Sequence, residues 1–204
     1  MIAIIDYQMG NLRSVQRAVE RAGYEGIVTD DPHALDRAEK IILPGVGAFA
    51  DAMQQLDERN LIEPIQAAAK EGKPLLGICL GLQLLFETSH ENGCHRGLAI
   101  VAGEVVPFEG LPPSYKIPHM GWNQLETVKP SPLLEGIPHG ANFYFVHSYY
   151  VVPEDTDIVV TRTDYHRPFV SMIGSKNIFA TQFHPEKSQQ LGLQMLCNFA
   201  RLKS

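Results

Sequence analysis

The sequence predicts an α/β protein: a mostly parallel sheet with helices on both faces, and antiparallel strands added by the second half of the chain. Three observations predict it. Up to Phe86, short apolar runs alternate with segments of helical periodicity. From about Leu98 to Phe183 the runs become short and β-type, divided by Gly, Pro and Asn. A helical pattern then returns from Ser188 to Leu202.

The elements follow in order. Ile2 to Ile5 is an apolar first strand, and the turn-like Gln8-Met9-Gly10-Asn11 comes after it. Leu12, Val15, Val19 and Ala22 recur at helical spacing and stop at Gly23. Tyr24 to Thr29 fits a second strand. Ile41-Ile42-Leu43 fits a third, stopped by Pro44-Gly45-Val46-Gly47. Ala52, Met53 and Leu56, then after a break Ile62, Ile65 and Ala69, mark helical segments. Pro74 to Ile78 is a fourth buried strand, and Leu80 to Phe86 reads as a helix entered directly from it. In the second half, Asn142 to Val152, Phe169 to Ile173 and Asn177 to Ala180 carry β-type runs. The last helix shows Leu191, Met195, Leu196 and Phe199 on one face. With no repeat, low-complexity tract or linker, residues 1–204 read as one domain.

Bulk properties narrow the function. At 204 residues, 45% hydrophobic and 20% charged, the composition is that of a soluble globular protein. No apolar run is long enough to span a membrane, and the short first run does not read as a signal peptide. A net charge of −6 without a basic run argues against a nucleic-acid surface. Three cysteines, Cys79, Cys94 and Cys197, make no C-x-x-C or metal-like spacing, which suits a reducing cytosol.

Chemistry concentrates in three segments. Gly77-Ile78-Cys79-Leu80-Gly81 has the form G-x-C-x-G where an apolar strand meets a helix. At that sharp turn a nucleophile is strained and raised above the sheet, while glycines let neighbouring backbone pass close. The helix N-terminus beneath it favours a thiolate, and the Leu80 N–H would face the oxygen of an attacked carbonyl. A lone cysteine is more often a buried core residue; the flanking glycines shift the reading. His184-Pro185-Glu186, after a strand, supplies a base and a carboxylate to orient it. Alone, such a pair would equally suit helix capping. Pro44-Gly45-Val46-Gly47 offers a second oxyanion donor from Val46 or Gly47, or else is a plain strand-to-helix turn. His147, His119 and His33 lack a third ligand at metal spacing and read as structural, so neither metal nor cofactor is expected. Cys94 sits among polar loop residues and Cys197 near the apolar face of the last helix.

Taken together, the Cys79 elbow, the His184-Pro185-Glu186 turn and the glycine strand resemble the triad-type, class I glutamine amidotransferases, whose core is flavodoxin-like. The resemblance covers the whole chain, with no departure in the triad. Asp6 to Leu12, Pro44 to Phe49, Pro118 to Asn123 and Phe145 to Tyr149 further resemble the branch formed by glutaminase subunits of imidazole glycerol phosphate synthases. The resemblance implies that Cys79 forms a glutamyl thioester, His184 shuttles the proton and Glu186 orients His184. It implies an oxyanion hole of Val46, Gly47 and Leu80, and substrate contacts from Gln83, Ser148, Tyr149 and the backbone near Gly47. In that family the glycine strand often rests turned the wrong way, which makes Val46 a candidate switch. The implied partner is a separate (βα)8-barrel cyclase, met as a heterodimer through Asn11, Trp122, Tyr144 and Lys187, which receives ammonia for histidine biosynthesis in the cytoplasm. Alone, Trp122 would suit a core, Tyr144 a strand and Lys187 a solvated first helical turn. Other readings are a glutaminase for anthranilate, purine, pyridoxal phosphate or guanylate synthesis, a stand-alone cysteine hydrolase, or a non-catalytic docking scaffold.

Overall fold

In the computed structural model, which describes residues 1–202, the first half is a regular α/β weave. It runs β1 (Ile2–Ile5), α1 (Leu12–Arg21), β2 (Gly26–Thr29), α2 (Pro32–Arg37), β3 (Lys40–Gly45), α3 (Phe49–Glu58), α4 (Ile62–Lys70), β4 (Leu75–Cys79) and α5 (Leu80–Leu84). Strand alternation explains why both faces need cover. Ile2 and Ile4 pack with Val15 and Val19 of α1. Ala3 and Ile5 pack on the opposite side with Leu56 of α3 and Ile65 of α4. The strands β2-β1-β3-β4 lie side by side and parallel.

The second half is more broken. It contains β5 (Phe86–Ser89), β6 (His95–Arg96), β7 (Val101–Pro107), β8 (His119–Gln124), β9 (Glu126–Thr127), β10 (Asn142–His147), β11 (Tyr149–Pro153), β12 (Val159–Tyr165), β13 (Arg167–Ser175), β14 (Ile178–Thr181) and α6 (Gln189–Arg201). β14 returns to lie parallel to β4, so the segment leading to His184 ends beside the strand that carries Cys79. β13, β11 and β7 then extend the same sheet antiparallel, although β5 pairs with β7 in parallel. β8 and β10 form a separate antiparallel pair. Met195, Leu196 and Phe199 of α6 join the core on the α1 face, with Leu191 partly buried against it.

Five details depart from the sequence reading. The third strand does not stop at Pro44 but runs through Gly45, which pairs with Cys79. The helix after Cys79 ends at Leu84, because Phe86 turns into a strand beside Val101. A short helix, α2, stands where none was expected, opened by Asp31 accepting from the His33 N–H. The β run from Asn142 to Val152 is two strands, and the chain changes sheets at Ser148. Lys187 lies not in the first turn of the last helix but in a 3-10 turn, Pro185–Lys187, that precedes it.

Candidate active site

The nucleophile elbow is built by close backbone contacts. Cys79 has φ 56° and ψ −106°, a conformation L-residues rarely hold and one that costs about 1–3 kcal/mol. The flanking glycines make it attainable. A Cβ on Gly81 would run into the carbonyl oxygen of Leu43 in β3, and one on Gly77 would come within 2.8 Å of the Gly81 carbonyl oxygen. Side chains at either place would push α5 off β3 and unwind the turn. Underneath, the buried Tyr7 hydroxyl donates to the Pro44 carbonyl at 2.7 Å, bracing the end of the glycine strand. Burial, reinforced by the nearby Cys79 charge, pushes the Tyr7 hydroxyl well above its usual range, so it stays a donor.

His184 and Glu186 form a buried pair at 2.8 Å through Nδ1 and Oε1, each side chain 2% exposed. The turn bearing them is held from both sides. The His184 N–H donates to the Tyr144 carbonyl at 2.9 Å. Ser188 Oγ donates to the His184 carbonyl at 2.6 Å and accepts from the Tyr144 N–H at 3.0 Å. Gly192 lets α6 pack tightly here, since a Cβ on it would strike the Pro185 carbonyl. Burial alone would disfavour a charged His184, but the Cys79 thiolate and the Glu186 carboxylate outweigh it and raise the imidazole to about 10. Nε2 of His184 makes no hydrogen bond of good geometry, although the Cys79 sulfur lies near enough to raise the ring. Cys79 Sγ lies instead 3.7 Å from the Val146 carbonyl and 3.8 Å from the Gln182 amide nitrogen.

The raised His184 fixes the sign of a pH effect. The charged pair contributes fully below the ordinary histidine value of 6.5 and is lost as pH rises through about 10. The thermal-midpoint gap between wild type and Glu186→Gln should therefore narrow as pH is raised from 6.5 past 10. A gap that stays constant over that window would contradict the assignment.

In front of Cys79 opens a cleft of about 250 Å³, lined by Val46, Gly47, Cys79, Leu80, Gln83, Glu91, Pro118, Val146, His147, Ser148 and Tyr149. All the residues expected as oxyanion or substrate contacts therefore border one space. Gly47 has φ +103°, within reach of glycine but strained for other residues. Glu91 was not anticipated: its carboxylate accepts from the Phe49 N–H at 2.8 Å, at the start of α3, and borders the cleft. No local pattern announces it, because it sits in a loop and its partner at the start of α3 is 42 residues away. His147 commits both ring nitrogens, Nδ1 to the Tyr149 carbonyl at 2.8 Å and Nε2 to His119 at 2.9 Å. Burial lowers His147 to about 3 and His119 to about 4, so both are neutral. All three cysteines are free: Cys79 buried, Cys94 exposed and Cys197 intermediate.

The expected docking residues divide. Trp122 of β8 and Tyr144 of β10 face each other across the strand pair, their rings 6.1 Å apart, and Lys187 Nζ lies 5.9 Å above the Tyr144 ring. Trp122 is 48% exposed, which removes the core reading for it. Asn11 is exposed on another element, at the N-cap of α1.

A strained cysteine near a buried His–carboxylate pair, bordering a small cleft on a parallel sheet, is an arrangement suited to amide cleavage. The chain belongs to the family Glutamine amidotransferase class-I, whose profile matches residues 3–202, and it is an enzyme that hydrolyses glutamine. Among similar proteins are the imidazole glycerol phosphate synthase subunits HisH of Syntrophotalea carbinolica and Aquifex aeolicus. The first is 54% identical, covering 98% of each chain. The second is 56% identical, covering 97% of this chain and 95% of its own. The fold is shared with the solved structure of PurLQS from Thermotoga maritima at TM-score 0.73 and 23% identity, covering 98% of this chain and 95% of that one. Among the described residues, no helix is long and apolar enough to cross a membrane.

Proposed function

We propose that this chain is the glutaminase subunit of an imidazole glycerol phosphate synthase, acting as one domain with Cys79 as nucleophile, His184 as base and Glu186 as the group that orients it. The observation that carries the chemistry is the cleft-lining Cys79 elbow next to the buried His184–Glu186 pair, on neighbouring parallel strands. The raised imidazole is suited to hold the proton that Cys79 gives up. The thiolate attacks the carboxamide carbon of glutamine, and the Leu80 and Val46 amides receive the oxyanion. The tetrahedral adduct collapses as imidazolium protonates the departing nitrogen, releasing ammonia and leaving a glutamyl thioester. Water, deprotonated by His184, then cleaves the thioester to glutamate and regenerates the thiol. Gln83, Ser148 and Tyr149 hold the amino-acid head, with Glu91 adding a carboxylate suited to its ammonium group.

The ammonia goes to a separate cyclase subunit, a (βα)8 barrel, in the cytoplasm, for histidine biosynthesis. The relatives' shared name supports the pairing, and the cluster of exposed Trp122 with half-buried Tyr144 and Lys187 suits the docking face. Tyr144 links that face to the base: its carbonyl accepts from the His184 N–H, and its N–H donates to Ser188 Oγ, which donates to the His184 carbonyl. The Cys79 sulfur beside the Val146 carbonyl suits a site that the loaded partner would bring into line with His184.

The test compares nitrogen sources. The cyclase alone should form imidazole glycerol phosphate from ammonium salt, and from glutamine only when this chain is added. Product from glutamine without this chain, or none with it, would overturn the reading. In that assay Lys187→Ala and Tyr144→Ala should cut glutamine-dependent product about tenfold or more. Alkylation of Cys79 in the free subunit should stay near wild type. Variants that pair and respond like wild type would refute the docking face.

A further inference from the structure

We propose that Gln182 is a further catalytic residue: its carboxamide donates to the Cys79 sulfur, and a buried hydrogen-bond chain fixes its orientation for that purpose. This deepens the glutaminase reading and rests on Cys79 being the nucleophile.

Gln182 is fully buried, just past the end of β14 and two residues before His184. Its Nε2 lies 3.8 Å from Cys79 Sγ, and its Oε1 lies 3.2 Å from Gln83 Nε2. Which end of an amide faces a neighbour must be deduced from its partners, and here the partners leave one answer. The Tyr149 carbonyl can only accept, and Gln83 Nε2 approaches it at 3.1 Å, so that atom of Gln83 is the donor. Its other hydrogen needs an acceptor, which makes the facing atom of Gln182 the oxygen. The nitrogen of Gln182 is thereby turned to the sulfur.

The far end of the chain is equally determined. The Tyr149 carbonyl also accepts from His147 Nδ1 at 2.8 Å, leaving His147 Nε2 as an acceptor. His119 Nδ1 donates to it at 2.9 Å, and His119 Nε2 accepts from Asn123 Nδ2 at 3.2 Å. The same Asn123 nitrogen spends its second hydrogen on the Asp164 carbonyl at 2.8 Å. Every donor from Asn123 to Gln182 has a single consistent assignment, with both rings neutral. His119, His147 and Asn123 are positioning residues in this scheme, since they touch the reacting sulfur only through Gln83 and Gln182.

A buried donor aimed at a sulfur favours its charged form. Gln182 therefore supports the thiolate before attack, beside His184 but without exchanging a proton.

The test reads Cys79 itself. Iodoacetamide alkylates a thiolate with loss of iodide, and mass spectrometry of the Cys79, Cys94 and Cys197 peptides gives three separate rates. Gln182→Met keeps the side-chain length and removes the donor. Gln182→Asn keeps a buried amide but, one carbon shorter, withdraws it from the sulfur. Both should alkylate Cys79 about tenfold more slowly than wild type, with the exposed Cys94 unchanged. Should the Met variant fold poorly, the Asn variant carries the comparison. In the complex with the loaded cyclase, both should lose kcat with KM within about twofold. A wild-type Cys79 rate in a folded variant would overturn the proposal, as would a change confined to KM. Glutamate release surviving in Cys79→Ala would instead overturn the glutaminase assignment of Cys79 and leave the alkylation result standing as a separate fact.

Discussion

Glutamate release by the loaded complex should fall at least about 10⁴-fold in Cys79→Ala, to the level set by binding and oxyanion donors alone. The size follows from the chemistry. Without the sulfur no thioester forms, so amide cleavage loses its covalent route and water would have to attack the less reactive amide directly. The fold should survive, because alanine is smaller than cysteine and the backbone conformation at residue 79 is imposed by Gly77, Gly81 and Leu43. Docking to the partner should survive too, since Trp122, Tyr144 and Lys187 are untouched. Removing the thiolate also removes the leading charge that raises His184, so the imidazole should titrate lower than in wild type. Steady-state glutamate assays with saturating partner ligand check the first point, and proton NMR of the ring checks the last. Measurable turnover in this variant would remove Cys79 as nucleophile.

Gly81→Ala should be the most damaging small substitution in the chain. Its Cβ would enter the space of the Leu43 carbonyl, which is backbone and has no rotamer to yield. Relief requires α5 to lift from β3, and such overpacking costs on the order of 3 kcal/mol. For a chain of this length that lowers the thermal midpoint by roughly 10 °C. The elbow shifts with the helix, so glutaminase activity should fall further than the folded fraction does. A midpoint within about 2 °C of wild type, with activity kept, would show that the elbow tolerates a side chain there and that the G-x-C-x-G spacing has another cause. Gly72, by contrast, has open space around its missing Cβ, with a φ of +89° as its only demand.

These two substitutions mark what the sequence makes legible. The elbow is readable because its glycines are forced by backbone contacts local to a strand and a helix, so residue identity carries geometry. The parallel half is readable because Ile2 to Ile5 and Ile41 to Leu43 are short apolar runs that must be covered on both faces. The six-residue α2 escapes because it is too short for periodicity, although Asp31-Pro32 is a start signal. The split at Ser148 escapes because β10 and β11 look alike in sequence and differ only in which distant strand each pairs with. Lys187 was assigned one turn too far along because Pro185 opens a 3-10 turn before α6 begins at Gln189.

Long-range polar contacts are the least legible. Glu91 reaches the start of α3 across 42 residues, and Gln182 reaches Cys79 across 103. His119 and His147 read as structural, but nothing in their spacing says that they share a hydrogen-bond chain to the wall of the cleft. Such groups become visible only when the sheet has brought β8, β10 and β14 around β4. Chemistry that depends on tertiary closure is therefore under-represented in any reading from spacing alone.

As proposed, a glutaminase built around Cys79 works for a second subunit and under its control. Each tenfold change in the active population needs about 1.4 kcal/mol of preference from the partner's ligand. The most direct measurement is glutamate release from glutamine by the pure chain alone, with the cyclase, and with the cyclase plus its nucleotide ligand. The account predicts negligible release alone and a sharp rise only in the third mixture. Full release by the chain alone, or none in any mixture, would contradict it.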